Sequence, residues 1–306
     1  MNTDKLPHRF DVMPTHRGIE PASPVHRDLA FEWGGLSHGG AKNAVDEDCF
    51  FLGRFDRSLE PILTNLRHSP GSGWQHTVGY VAIVADGMGG LGAGEVASQA
   101  SVATLLDLVL ETPDWIMRYD EEPLAAEVSR RIAKRLQQVD GMLDSMGGRQ
   151  VSGTGIGSTV TIFATVPPYG IVAHVGNSRA YLVRAGTLHR LTTDHGVGPL
   201  AAAAGLINAS AAATPPALDA ARRALGVGAG DLAPDVQRLR LESGDRVLLC
   251  TDGLTETLSD VELRDVIVAT ESPAVACKQL VALAVERGAP DNVTAVLGRL
   301  SRKSGL

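Results

Sequence analysis

VAIVADGMGG, residues 81–90, decides how the chain folds. A short apolar run, Val81 to Ala85, leads straight into Asp86-Gly87. Such a run, rich in Val and Ile and closed by Asp-Gly, reads as a strand with an acid at its mouth. The device recurs along the chain. RVLLCTDGL (246–254) ends in Asp252-Gly253, and GAPDNVTAVL (288–297) places Asp291-Asn292 just before a strand. KNAVDEDCFFLG (42–53) places Glu47-Asp48 before another. Any one Asp-Gly reads equally well as a turn. Together, at the ends of strands, these segments bring carboxylates to one sheet edge, where they repel one another unless a cation sits among them. Oxygen donors without His or Cys favour Mg²⁺ or Mn²⁺ over zinc. Glycine after Asp86 and Asp252 permits a tight turn and leaves a backbone carbonyl available to a metal.

Two such ions about 3.5–4 Å apart hold a bridging hydroxide at neutral pH and bind phosphoryl oxygens. In-line attack on a phosphate monoester then needs no covalent enzyme intermediate. The residues for such an intermediate are missing: Phe55 stands where a Cys-x5-Arg motif starting at Cys49 would need arginine. Asp46-Glu47-Asp48 matches Asp-x-Asp, but its apolar strand follows rather than precedes it.

Working outward, residues 49–53, 78–85, 158–165, 170–175, 180–184 and 246–250 read as strands. Ala185-Gly186 reads as a hairpin turn, with 188–191 returning. Helical periodicity covers 96–110 and 123–143, the latter with Leu124, Val128, Ile132, Leu136 and Val139 on one stripe. Ser259 with Glu262 forms a capping box, and Ser272-Pro273 opens a further helix ending near Gly288. Strands come in groups with helices between the groups, which predicts mixed or antiparallel sheets flanked by helices. Residues 1–28, rich in Pro, His and charge, read as a flexible arm; 29–302 read as one domain, with a flap-like Ala-rich insert around 196–224.

Of 306 residues, 44% are hydrophobic and 21% charged, enough for a full core. The net charge of −7 argues against a nucleic-acid surface. Cys49, Cys250 and Cys277 form no CxxC pair, which fits a reducing, cytoplasmic setting. No secretory signal and no membrane span is expected.

Taken in order, VDEDCF (45–50), VAIVADGMGG, GTGIGSTVTIFAT (153–165), AHVGNSRAYLVRAGTLHRLTTDH (173–195), ALGVG (224–228), GDRVLLCTDGLTETLSD (244–260) and RGAPDNVTAVL (287–297) resemble the metal-dependent protein phosphatases of type 2C in their bacterial form. The resemblance runs from about Phe31 to Leu300. It implies an α+β fold, a four-layer α-β-β-α sandwich with a binuclear metal site at one end of the two central sheets. It implies two Mn²⁺ or Mg²⁺ ions and hydrolysis of phosphoserine and phosphothreonine in proteins. Asp86 would bridge both ions and Gly87 would offer its carbonyl to one. Asp252 and Asp291 would complete the first site, and Glu47 and Asp48 would hold waters at the second. Asn292 would orient Asp291. A phosphorylated protein, such as one opposed to a cognate kinase, would be the partner.

Three positions depart from the family pattern. The usual phosphate-binding arginine position is Asn43, beside Lys42, and Lys42 is the replacement candidate, as a point charge without the bidentate fork. Asn177 stands in Gly-Asn-Ser-Arg where the family has aspartate, and Glu256 replaces its usual aspartate partner, so a third ion is expected to be weak or absent. Met88 stands where some members have histidine and is read as packing. His195 is read as structural or flap-positioning, and His174 as a core histidine. Two alternatives stand beside the enzyme reading: a degenerate phosphatase that binds a phosphoprotein or partner, and a metal-dependent phosphatase of a small phosphorylated molecule.

Overall fold

Strand β3 (Thr77–Met88) shows how the molecule is layered. Its odd residues Val81, Ile83 and Ala85 pack with helical residues, while its even residues Tyr80, Ala82 and Val84 pack with the other sheet. Alternate side chains leave opposite faces of a strand, so a run apolar at every position is buried on both sides. Strand β10 (Arg246–Cys250) does the same: Leu248 and Cys250 face one cluster, Val247 and Leu249 another.

The computed structural model describes residues 29–41, 45–57, 77–89, 92–110, 122–147, 156–195, 224–226 and 234–302. The arm (1–28), Lys42 and Asn43, and nearly all of the expected insert (196–223) lie outside the described residues. The remaining strands are β1 (Leu29–His38), β2 (Asp48–Arg57), β4 (Gly157–Ser158), β5 (Val160–Val166), β6 (Tyr169–Val175), β7 (Arg179–Arg184), β8 (Thr187–Arg190), β9 (Asp235–Arg240) and β11 (Val293–Arg302). One sheet has the order β1-β11-β10-β7-β8; the other has β2-β3-β5-β6-β9, with β4 added beside β3. Every neighbouring pair is antiparallel.

Helices α1 (Ala93–Leu110) and α2 (Glu122–Gly147) cover the second sheet through Ala97, Val102, Leu105, Ile132, Leu136 and Leu143. Helices α3 (Asp252–Thr255), α4 (Asp260–Ala269) and α5 (Pro273–Glu286) cover the first through Leu254, Leu263, Ile267, Leu280 and Ala284. Between the sheets lie Phe31, Phe163, Val172, Leu182, Leu249, Val296 and Leu300. The layers therefore run helices, sheet, sheet, helices. Full burial of each such side chain contributes about 1.5–3 kcal/mol. No helix among the described residues is long and apolar enough to cross a membrane.

Local signals explain the ends of elements. Ser259 Oγ accepts from Glu262 N while the Glu262 carboxylate accepts from Ser259 N, the capping box read from sequence. Pro273 sits in the first turn of α5. Ala185 (φ 50°) and Gly186 (φ 78°) turn the β7–β8 hairpin. Two strands escape the sequence reading. β1 carries Gly34-Gly35 at its centre, which weakens a strand pattern; a Cβ on Gly34 would stand 2.3 Å from Ala274 Cα, so the glycine lets α5 press onto the sheet. β9, DVQRLR, is an edge strand whose charges hide its alternation. Asp86-Gly87 lies inside β3 rather than beyond it, because Gly87 and Met88 pair with Ser158 and Gly157. Asp252-Gly253 opens α3 instead of a turn.

Candidate functional site

Strand ends from both sheets meet at one edge. Asp48, the first residue of β2, lies directly opposite Asp86 of β3. Asp252 follows β10 and Asp291 precedes β11, neighbouring strands of the other sheet. Glycines allow the close approach: a Cβ on Gly87 would stand 1.9 Å from Gly94 O, and one on Gly253 would stand 2.0 Å from Asn292 O.

Asp48 is the best-held acid. Its Oδ2 accepts from Thr251 Oγ1 at 2.8 Å and from Thr294 Oγ1 at 2.7 Å. Its Oδ1 is buried and has no hydrogen-bond partner among the described residues. Burial pushes the Asp48 carboxyl up to about 8; Asp46 and Asp252 push the same way, against the two threonine hydrogen bonds. A chain of oxygens runs outward from it: Thr294 Oγ1 lies 2.7 Å from Ser37 Oγ, which lies 2.6 Å from Asp46 Oδ2. Through these hydroxyls Asp48 and Asp46 are linked by a continuous run of polar contacts.

Glu47 is held through its backbone. Its N donates to Asn292 Oδ1 at 2.9 Å, and its carbonyl accepts from Gly87 N at 3.2 Å. Burial raises its carboxyl, with Asp291 and Glu95 adding to the shift. Asn292 also donates from Nδ2 to Val45 O and from its backbone N to Asp291 Oδ1. Asn292, 245 residues from Glu47 in the chain, thus ties Glu47 to Asp291.

Asn177 is buried and donates from Nδ2 to Asp252 Oδ2 at 2.6 Å. Glu256 is exposed, one turn along from Asp252, with its backbone N bonded to Asp252 O at 2.7 Å. Ser158 and Thr159 belong to the scaffold: Thr159 exchanges two hydrogen bonds with the Asp86 backbone, and Thr159 Oγ1 lies 2.7 Å from Ser178 Oγ. Arg179 forks onto Asp194 at 3.0 and 2.8 Å, so its guanidinium is committed to the scaffold. His174 is fully buried against Thr161, and burial next to His195 lowers it to about 4. His195 bonds Asp235 through Nε2 at 3.0 Å and Gly176 O through its backbone at 2.7 Å.

The predicted acids therefore gather in two subgroups, Asp48 near Asp252 and Asp46, and Glu47 near Asp291 and Glu95, with Asp86 paired to Asp48 in register. Among the described residues, no three His, Cys, Asp or Glu side chains stand in a finished ligating array. The donor set still fits a hard divalent cation: oxygen only, with the buried Asp48 Oδ1 turned to no hydrogen-bond donor among the described residues. Sequence reasoning missed Thr251, Thr294 and Ser37, and met Asp46 only in the Asp-x-Asp match that it set aside. The two threonines sat inside the quoted motifs, one just before Asp252 and one two residues after Asn292, but only strand register shows that both reach Asp48.

The same sandwich is found in bacterial phosphatases. The Mycobacterium tuberculosis serine/threonine phosphatase PstP/Ppp superposes with a TM-score of 0.67 at 26% identity, covering 89% of this chain and 99% of that one. The Streptococcus agalactiae serine/threonine phosphatase gives 0.69 at 27% identity, covering 88% and 99%. A PstP catalytic domain in complex with two manganese ions gives 0.64 at 25% identity, covering 89% and 99%. Fold and acidic edge together make this chain a phosphatase of the bacterial kind. The family profile described as protein phosphatase 2C matches residues 71–288, and the chain belongs to that family. It is 31% identical to the serine/threonine phosphatase stp of Listeria welshimeri, over 71% of this chain and 83% of that protein. It is also 31% identical to the protein phosphatase PhpP of Streptococcus pneumoniae, over 70% and 83%.

Proposed function

We propose that this chain hydrolyses phosphoserine and phosphothreonine esters of proteins, using two Mn²⁺ or Mg²⁺ ions and no phosphoenzyme intermediate. The observation that carries the reading is Asp48 facing Asp86 in register, with Asp252 and Asp291 delivered to the same edge by β10 and β11. When bound, a pair of divalent ions ionises a water near neutral pH and binds the phosphoryl oxygens.

The chain's residues do the holding. Asp86, Asp252 and Asp291, with the Gly87 carbonyl, would hold one ion, and Asp86 with Glu47 and Asp48 would hold the other. Thr251 and Thr294 fix one oxygen of Asp48 and leave the other to the site. Asn292 keeps Glu47 and Asp291 at a set spacing. Water attacks phosphorus in line, the P–O bond to the side chain breaks, and the departing alkoxide takes up the proton that the attacking water gives up. Lys42 supplies a point charge to the phosphate in place of the family's arginine. A cytoplasmic phosphoprotein, such as the substrate of a cognate kinase, is the partner this reading implies.

The test offers p-nitrophenyl phosphate and a phosphothreonine peptide with Mn²⁺, with and without chelator. Chelator-sensitive release from both is expected, with kcat/KM for the peptide the higher. Asp86→Asn, checked for folding, should lower kcat by about 10³-fold or more. Folded protein that releases nothing from either substrate contradicts the reading.

A further inference from the structure

We infer that Asn177 is a positioning residue: its neutral amide fixes one oxygen of Asp252 and leaves the other to a cation, so that this centre needs no ion at the Asn177 side. The inference rests on the metal-centred reading above.

The amide orientation follows from the contact. An oxygen of Asn177 placed 2.6 Å from Asp252 Oδ2 would set two acceptors against each other with no hydrogen between them. Nitrogen must face the carboxylate. Asp252 Oδ2 is then engaged, and ligation falls to Oδ1, the same division of labour that Thr251 and Thr294 impose on Asp48. The outward oxygen of the amide, Asn177 Oδ1, is buried and has no hydrogen-bond partner among the described residues. A buried acceptor of that kind calls for a donor, and a water of a cation's shell is one.

The turn that carries Asn177 is rigid. Gly176 has φ +114°, and a Cβ there would stand 2.6 Å from Thr159 Cβ. Beyond Asn177, Ser178 Oγ meets Thr159 Oγ1, the atom that accepts from Asp86 N at 3.0 Å. Before it, Gly176 O accepts from His195 N, and Asp235 holds the His195 ring. Residues 176–178 therefore touch Asp252 directly and the Asp86 backbone through Thr159, bridging the two sheets at the acidic edge.

Charge decides the consequence. A carboxylate at this position would face the Asp252 carboxylate at hydrogen-bond distance and would require a cation or a proton between them. The amide removes that requirement.

The test compares wild type, Asn177→Ala and Asn177→Asp for melting temperature in chelator and for Mn²⁺ binding by equilibrium dialysis. In chelator, Asn177→Asp should melt lowest, by about 5 °C or more, because a buried like charge is added. Saturating Mn²⁺ should restore it and load one more ion per chain than wild type. Asn177→Ala should weaken Mn²⁺ binding about 10–100-fold. Its kcat should recover at saturating Mn²⁺, which a general loss of structure would not allow. If Asn177→Asp cannot be obtained folded without metal, Asn177→Ala alone decides: unchanged Mn²⁺ affinity overturns the inference. Equal melting temperatures for all three in chelator, with equal ion counts, overturn it too. If wild type binds no Mn²⁺, the metal-centred reading fails by itself, and the melting order in chelator still tests the clamp on Asp252.

Discussion

The middle and the edge of the same strands obey opposite rules. At the middle, Ala82, Val84, Val247, Leu249 and Val296 close the gap between the sheets, and burial there stabilises the fold. A few residues along, β3 and β10 lead to Asp86 and Asp252, β11 begins just after Asp291, and Asp48 is buried beside them. There burial works against the charged form, and Asp48 is driven up to about 8. The difference teaches that burial stabilises the middle outright, while at the edge it leaves carboxylates whose charged form a cation, on the reading proposed above, would make favourable.

Breaking each region should give opposite signatures. The largest stability effect is expected in the middle: Leu249→Ala should cost about 2–5 kcal/mol, equally with and without Mn²⁺, as read by urea unfolding. Asp48→Asn should act in reverse. It removes a buried carboxyl that the folded state must keep from ionising, while its amide oxygen still accepts from Thr251 and Thr294, so the metal-free protein at neutral pH should gain about 1 kcal/mol or more. The same variant should lose much of the Mn²⁺-induced rise in melting temperature; a rise equal to that of wild type would separate Asp48 from the ion.

A smaller effect sharpens the comparison through pH. The folded Asp48 carboxyl, at about 8, lies above its ordinary 3.8. Between those values the folded state holds more protons than the unfolded one, so metal-free stability should fall as pH rises from about 4 to 8. The gap in melting temperature between Mn²⁺-loaded and metal-free protein should widen from pH 5 to pH 8, and Asp48→Asn should flatten that trend. Smallest of all, Ser259→Ala should cost about 1 kcal/mol through the lost cap, with no dependence on Mn²⁺.

Most of the buried strands were legible because burial on both faces leaves an unbroken apolar run, as in β3 and β10. β1 and β9 were not, since Gly34-Gly35 and the arginines of an edge strand erase that pattern. Asp86 and Asp252 were legible because each stands before a Gly at the end of such a run, and Asp291 and the Glu47-Asp48 pair because each stands just before one. Their holders were not. Thr251 and Thr294 are hydroxyls common in any strand, and their convergence on Asp48 depends on the pairing of Thr251 with Thr294 across β10 and β11. Asn177 could be read as a missing charge, but its bond to Asp252 lies 75 residues away in the chain and needs the fold.

The most direct measurement is anomalous diffraction from crystals soaked in Mn²⁺. Two peaks are expected at the acidic edge, one between Asp86, Asp252 and Asp291 and one on the Glu47–Asp48 side, with the carboxylates drawn in around them. Fully soaked crystals with no peak within ligating distance of Asp86 would contradict the account.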